Sequence, residues 1–159
     1  MIVSPSKELL HLLSQEVEQA VLLLEALRLE NEALAERQSD AIETAVRAKQ
    51  AQLEVFELCE RNRRQWLKQA GVTEERSAIR EFLSTQPEVP TELISEWDRL
   101  LELATQCHNQ NKANGALVEI HRRHVQRALD LLRGTQDTPT YGPAGEARGR
   151  DDTHSLAKA

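Results

Sequence analysis

The sequence is poor in the residues that build sheets. Phe, Trp and Tyr number five in 159 residues, and Val and Ile together only 14. Strands draw on β-branched and aromatic side chains for their packing, so a sandwich, a barrel or a doubly wound sheet is excluded. Long apolar runs are also missing. The longest is five residues, Ala20 to Leu24, against the roughly 20 that cross a bilayer. The opening Met-Ile-Val-Ser-Pro-Ser-Lys-Glu lacks the basic segment and apolar core of a secretory signal. Cysteine is scarce: Cys59 and Cys107 lie far apart in helical patterns without a Cys-x-x-Cys, which reads as two buried, reduced thiols. A soluble cytoplasmic protein with no membrane insertion is expected.

An excess of positive charge is absent too. The 20 basic and 26 acidic residues leave a net charge of −6, whereas a dedicated nucleic-acid binder has phosphates to neutralise. The one basic stretch, His121-Arg122-Arg123-His124-Val125-Gln126-Arg127, has no interleaved aromatics and is flanked by Glu119 and Asp130. It reads as a solvated or salt-bridged helix face, and no nucleic acid is expected as a partner. Catalytic patterns are equally thin. There is no Gly-rich phosphate loop and no nucleophile elbow. A single Glu-x-x-His, Glu8 with His11, falls short of a di-iron bundle's requirement. Cys107 and His108 are adjacent and point apart on a helix, which argues against zinc held with His121 and His124. No enzyme activity, metal or cofactor is expected.

What is abundant is helix former. Leu (23), Ala (18) and Glu (20) make well over a third of the chain, which predicts an all-α protein. Ser4-Pro5 marks a helix start. From there Leu10, Leu13, Val17, Ala20, Leu24, Leu27, Asn31 and Leu34 step by three and four, the seam of a long helix packed in coiled-coil fashion. Leu9, Val21 and Leu23 widen the stripe and imply more than one neighbour. Asn31 reads as a polar residue that sets register. Gln38-Ser39-Asp40 offers a turn, and a second seam runs through Ile42, Val46, Lys49, Leu53, Phe56, Leu67 and Ala70, with Cys59 and Arg63 in the intervening turns. Gly71 closes it. Two such helices, each about 48 Å long, predict an antiparallel hairpin.

A short helix is expected from about Thr73 to Thr85, with Ile79, Phe82 and Leu83 on one face. Pro87 and Pro90 stop it. A third long helix is expected over about 91–133, with a seam through Ile94, Trp97, Leu101, Ala104, His108, Asn111, Gly115, Val118, Val125, Leu129 and Leu132. Gly115 inside a helix costs roughly 1 kcal/mol against alanine. Close helix approach there, or a polar layer shared by His108 and Asn111, would offset it. The second half of this helix, with Leu117, Val118, Ile120, Val125, Ala128, Leu129, Leu131 and Leu132, is apolar over more than one stripe, which leaves surface for another chain. Residues 134–159 lose the periodicity and are expected as a flexible, disordered tail. The expected architecture is thus an elongated antiparallel helical bundle, residues 1–133, made of three long helices and a short connector helix.

The run Gln110-Asn111-Lys112-Ala113-Asn114-Gly115-Ala116-Leu117-Val118, followed by Ala128-Leu129-Asp130-Leu131-Leu132-Arg133-Gly134 and then Tyr141-Gly142-Pro143-Ala144-Gly145, resembles the C-terminal signature of the FlgN-type flagellar export chaperones. The N-terminal hairpin, with Lys49 and Arg63 in apolar seams, is similar to theirs as well, and the resemblance covers about residues 5–146. It implies a cytoplasmic chaperone of flagellar type III export. Such a chaperone binds the C-terminal regions of the hook–filament junction proteins FlgK and FlgL, prevents their premature assembly and delivers them to the export gate protein FlhA. It implies client binding by the C-terminal amphipathic helix, here Val118, Val125, Ala128, Leu129 and Leu132. It also implies gate docking through the tail, here Tyr141, Gly142 and Gly145, with Pro143 standing where a polar residue is expected. No ATP motif is present, so release must be driven elsewhere. A structural coiled coil that homo-oligomerises through its seams is the alternative reading, and self-association is compatible with both.

Overall fold

The computed structural model describes residues 4–136. Four helices follow one another: α1 (Pro5–Glu36), α2 (Ser39–Gln69), α3 (Arg76–Ser84) and α4 (Pro90–Gln136). No strand occurs among the described residues. The all-α expectation and the helix order hold. The described residues divide after Arg122 into two units.

Pro5 occupies the first turn of α1, as its fixed φ favours, although the Ser4 side chain makes no capping hydrogen bond. The helix ends where Arg37 adopts a left-handed conformation (φ 55) and its N–H bonds back to the Leu34 carbonyl. The chain thereby reverses within two residues. Gly71, at φ 76, provides the equivalent exit from α2, and glycine takes that conformation without a Cβ penalty. Val89 is the exception, a β-branched residue at φ 51 just ahead of Pro90. Its side chain is partly buried against the core.

The core of the first unit is built on α1. Leu9, Leu13, Val17, Ala20, Leu24 and Leu27 are all buried, and Leu23, Ala26 and Ala33 join them on an adjoining stripe. One face of α1 meets α2 in antiparallel order: Gln52 bonds Gln19, Lys49 bonds Glu30 and Arg63 bonds Glu16. The other face meets α4 in parallel order, with Ala20 on Cys107 and Asn31 on Asn114, while Ser6 bonds Gln86 in the connection that precedes α4. α3 inserts Ile79 and Leu83, and Trp66 and Phe82 pack with ring centroids 6.3 Å apart. The α2 seam is shallower than its periodicity implied. Only Arg63 and Leu67 are buried on that helix, and Val46 is 41% exposed.

The α4 seam is shifted from its expected phase. The buried positions are Leu93, Trp97, Leu100, Leu103, Cys107 and Asn114, whereas Ala104, His108, Asn111 and Gly115 are exposed. Of the expected seam only Trp97 is buried. Adjacent apolar pairs, Leu100-Leu101 and Leu103-Ala104, let two helical phases compete, and the polar contacts of Asn114 select the other one. α4 also continues through Gly134 to Gln136.

Candidate functional site

Two buried polar clusters fix α4 against the hairpin. In the first, the Asn114 side chain is 2% exposed. Its amide donates to the Leu27 carbonyl and to a Glu30 carboxylate oxygen, both at 2.8 Å. Its oxygen accepts from Asn31 at 2.9 Å and Gln110 at 3.1 Å. Two donors and two acceptor lone pairs are the full capacity of an asparagine side chain, and all are used. The other Glu30 oxygen accepts from Lys49 Nζ at 2.7 Å. Lys49, Glu30 and Asn114 therefore tie α2, α1 and α4 together. A polar layer was expected near Gly115, but from His108 and Asn111. It is made by Asn31, the expected register residue, with Asn114. Nothing lies within 4 Å of a Cβ built on Gly115, so no close helix approach explains that glycine.

In the second cluster Arg63 Nε and Nη2 both donate to the Glu16 carboxylate, the latter at 3.1 Å. The guanidinium sits 5.2 Å from the centroid of Trp97, a cation–π contact between α2 and α4. Burial pushes the Glu16 carboxyl above its usual range, and the hydrogen bonds and charge of Arg63 oppose that shift. The sequence points to Arg63 but not to Glu16. The signal that could have found it is the hairpin itself: a turn at 38–40 that brings 30 level with 49 also brings 16 level with 63.

Beyond Asn114 the character of α4 changes. Val118 is 51% exposed, Val125 60%, Leu129 42% and Leu132 63%, and Ala128 is exposed as well. These are the five expected client-binding positions. At about 100° per residue they fall within one arc of about 100°. The same phase holds Leu100, Leu103, Cys107 and Asn114, which are buried earlier on the helix. Ile120 and Leu131, 44% and 72% exposed, lie outside that arc. Arg122 pairs with Glu119 at 3.0 Å, so the basic stretch is at least partly salt-bridged. Tyr141, Gly142 and Gly145 lie outside the described residues.

The remaining chemistry is quiet. Among the described residues no group of three or more His, Cys, Asp and Glu side chains could hold a metal ion, and no helix is long and apolar enough to cross a membrane. Both thiols are free. Cys107 is buried, with Sγ 3.6 Å from the Ala20 carbonyl, and Cys59 is half-buried. Desolvation raises the pKa of both.

Comparison with known proteins places this arrangement. A family model described as FlgN protein matches residues 1–149. The flagella synthesis protein FlgN of Yersinia enterocolitica is 34% identical over 95 residues, which cover 50% of this chain and 65% of that one. The FlgN of a second Yersinia enterocolitica strain, serotype O:8, gives the same identity and coverage. The match thus spans 65% of the length of these curated relatives. A crystal structure of a flagella synthesis protein FlgN from Pseudomonas aeruginosa superposes with a TM-score of 0.65 at 29% identity. It covers 74% of this chain and 90% of that one. A helical hairpin braced by buried ion pairs, the long helix α4 and a match along nearly the whole sequence agree: the chain belongs to the FlgN family of flagella synthesis proteins.

Proposed function

We propose that this chain is a cytoplasmic export chaperone for the hook–filament junction proteins FlgK and FlgL. The observation that carries the proposal is the exposed apolar stripe of α4, Val118, Val125, Ala128, Leu129 and Leu132. Aliphatic positions at i, i+7, i+10 and i+11, with Leu132 about one turn further on, form the anchor pattern of helix-to-helix recognition. On this reading the stripe covers an amphipathic segment near the client's C-terminus and keeps it from assembling early. The polar clusters at Asn114 and Arg63 hold the first part of α4 against the hairpin, which leaves the stripe as the part of the helix open to a client.

The division of labour runs along the chain. The bundle, residues 1–133, holds the client, and the tail, 134–159, with Tyr141, Gly142 and Gly145, docks on the export gate protein FlhA. An aromatic anchor in a polar segment suits a transient contact. Family membership supports flagellar partners in general, and the resemblance of the Tyr-Gly-Pro-Ala-Gly run supports the gate.

Titration calorimetry against the isolated C-terminal segment of FlgK or FlgL from the same organism tests the client half. Saturable binding with a negative heat-capacity change is expected, the mark of apolar burial. Leu129→Asp with Leu132→Asp should abolish it while circular dichroism stays helical. Global unfolding of that variant would mean the two leucines serve the fold. Absence of binding in the parent, with oligomers on a sizing column, would favour the structural coiled coil.

A further inference from the structure

The apolar surface at the end of α4 is wider than packing against one protein groove requires. At about 100° per residue it runs from Ile120 and Leu131 at one edge to Val118 and Leu129 at the other, an arc of about 180° over residues 117–133. A helix packed against a protein typically buries a stripe of about 100°. Ile120 and Leu131, 44% and 72% exposed, are left over by such a contact.

The charges are arranged about that face. Arg122 and Arg133 border it beyond Leu129, and Arg127 borders it beyond Ile120, with Arg123 next to it. All four arginines are exposed. Glu119 and Asp130, the two acids of the segment, stand together at the middle of the polar arc, as far from the apolar face as the helix allows. Arg122 is held by Glu119 through two hydrogen bonds of 3.0 Å. Arg127 and Arg133 have no ion pair among the described residues, so theirs is the uncommitted positive charge. A protein groove would need acids on both walls to meet such a helix. A planar anionic surface meets both edges at once: arginine stems lie along the apolar boundary while the guanidiniums reach phosphates. His121 and His124 fall inside the arc, and an imidazole, with its apolar body and polar tip, suits the same boundary.

We propose that residues 117–133 of α4 lie on an anionic lipid bilayer, parallel to its plane, with Ile120, Leu131 and the client stripe towards the acyl chains and Arg127 and Arg133 on lipid phosphates. The segment is about 25 Å long and rests at the headgroup boundary; no helix among the described residues is long and apolar enough to cross a membrane. The chain as a whole is acidic, at −6, so the attraction is local to this segment, where four arginines outnumber two acids. Lipid and client would compete for Val118, Val125, Leu129 and Leu132. The inference stands without the client reading, because it rests on the pattern of α4 alone.

Co-sedimentation of the full chain with lipid vesicles tests this. Vesicles of equal parts phosphatidylglycerol and phosphatidylcholine should bind it, and phosphatidylcholine alone should bind it at least about tenfold more weakly. Binding to the anionic vesicles should weaken as salt rises. Arg127→Gln with Arg133→Gln should lower it by about tenfold or more, and so should Ile120→Asp with Leu131→Asp. All four positions are exposed, and circular dichroism checks that helicity is kept. No binding to the anionic vesicles overturns the proposal, and so does equal binding to both compositions. Binding that neither variant changes also overturns it. Loss of client binding in the aspartate variant, with no vesicle binding by the parent, would assign Ile120 and Leu131 to a protein contact instead. Client titration of the parent is read separately, so failure here leaves the chaperone reading intact.

Discussion

Asn31 of α1 donates its side-chain amide to the Asn114 oxygen of α4 at 2.9 Å, so two asparagines of parallel helices meet side by side. Buried asparagines at such a level fix the axial register of neighbouring helices, because any slip leaves their amides unsatisfied. Asn114→Ala should therefore destabilise the fold by about 1–3 kcal/mol. Asn111→Ala, three residues earlier and exposed, should stay within about 0.5 kcal/mol of the parent. Urea denaturation followed by helicity separates the two, and equal losses would contradict a seam that runs through Asn114.

The Glu16–Arg63 pair should behave as a unit. Glu16 is 1% exposed and Arg63 8%. Removing Arg63 leaves the Glu16 carboxylate buried alone, at a cost of about 3–5 kcal/mol. Replacing both, Glu16→Leu with Arg63→Met, should recover most of that loss. A double-mutant cycle measures this directly, and additive losses would show that the two side chains act independently.

Acidity should act on that site in an unusual direction. Burial raises the folded-state pKa of Glu16 above the ordinary value of 4.5, against the pull of Arg63. The folded chain then takes up this proton before the unfolded chain does. The contribution of Glu16 accordingly grows as pH falls from neutral towards 4.5. Wild type should gain on Glu16→Gln across that window in urea titrations. Glu74 is the opposite case, because the hydrogen bonds and charge of Arg64 lower its pKa. Its contribution is present above 4.5 and is lost as pH drops below it. Both differences moving the same way would refute the assignment of causes.

Tyr141→Ala should leave the affinity for a FlgK or FlgL segment within about twofold of the parent and lower binding to the cytoplasmic part of FlhA by about tenfold or more. An alanine in place of a central aromatic anchor typically has an effect of that order. Parallel titrations against both partners decide the matter. Equal weakening of both would remove the separation between helix and tail.

Much of this architecture is legible in spacing alone. The three-four steps from Leu13 to Leu27, the break at Gln38 and the proline pair before α4 each have a local physical cause. The seam of α4 is not legible in the same way. Leu100-Leu101 and Leu103-Ala104 satisfy two phases, and apolar spacing has no means to choose between them. The choice falls to Asn114, whose four hydrogen bonds come partly from α1, more than 80 residues away in sequence. Glu16 is hidden for a related reason. A carboxylate beside Val17 reads as solvated until the hairpin places Arg63 opposite it. The exposed stripe of α4 is visible because it needs no partner to be recognised.

The two thiols carry a practical consequence. Thiolates, not thiols, react with maleimides and disulfides, and desolvation keeps both Cys59 and Cys107 protonated beyond the usual range. A cysteine introduced at Leu131, where 72% of the residue meets solvent, should outpace both by a wide margin. Fluorophores or spin labels can thus be attached to α4 in the native background, and the arrival and departure of a client can be watched as a change in their emission or mobility.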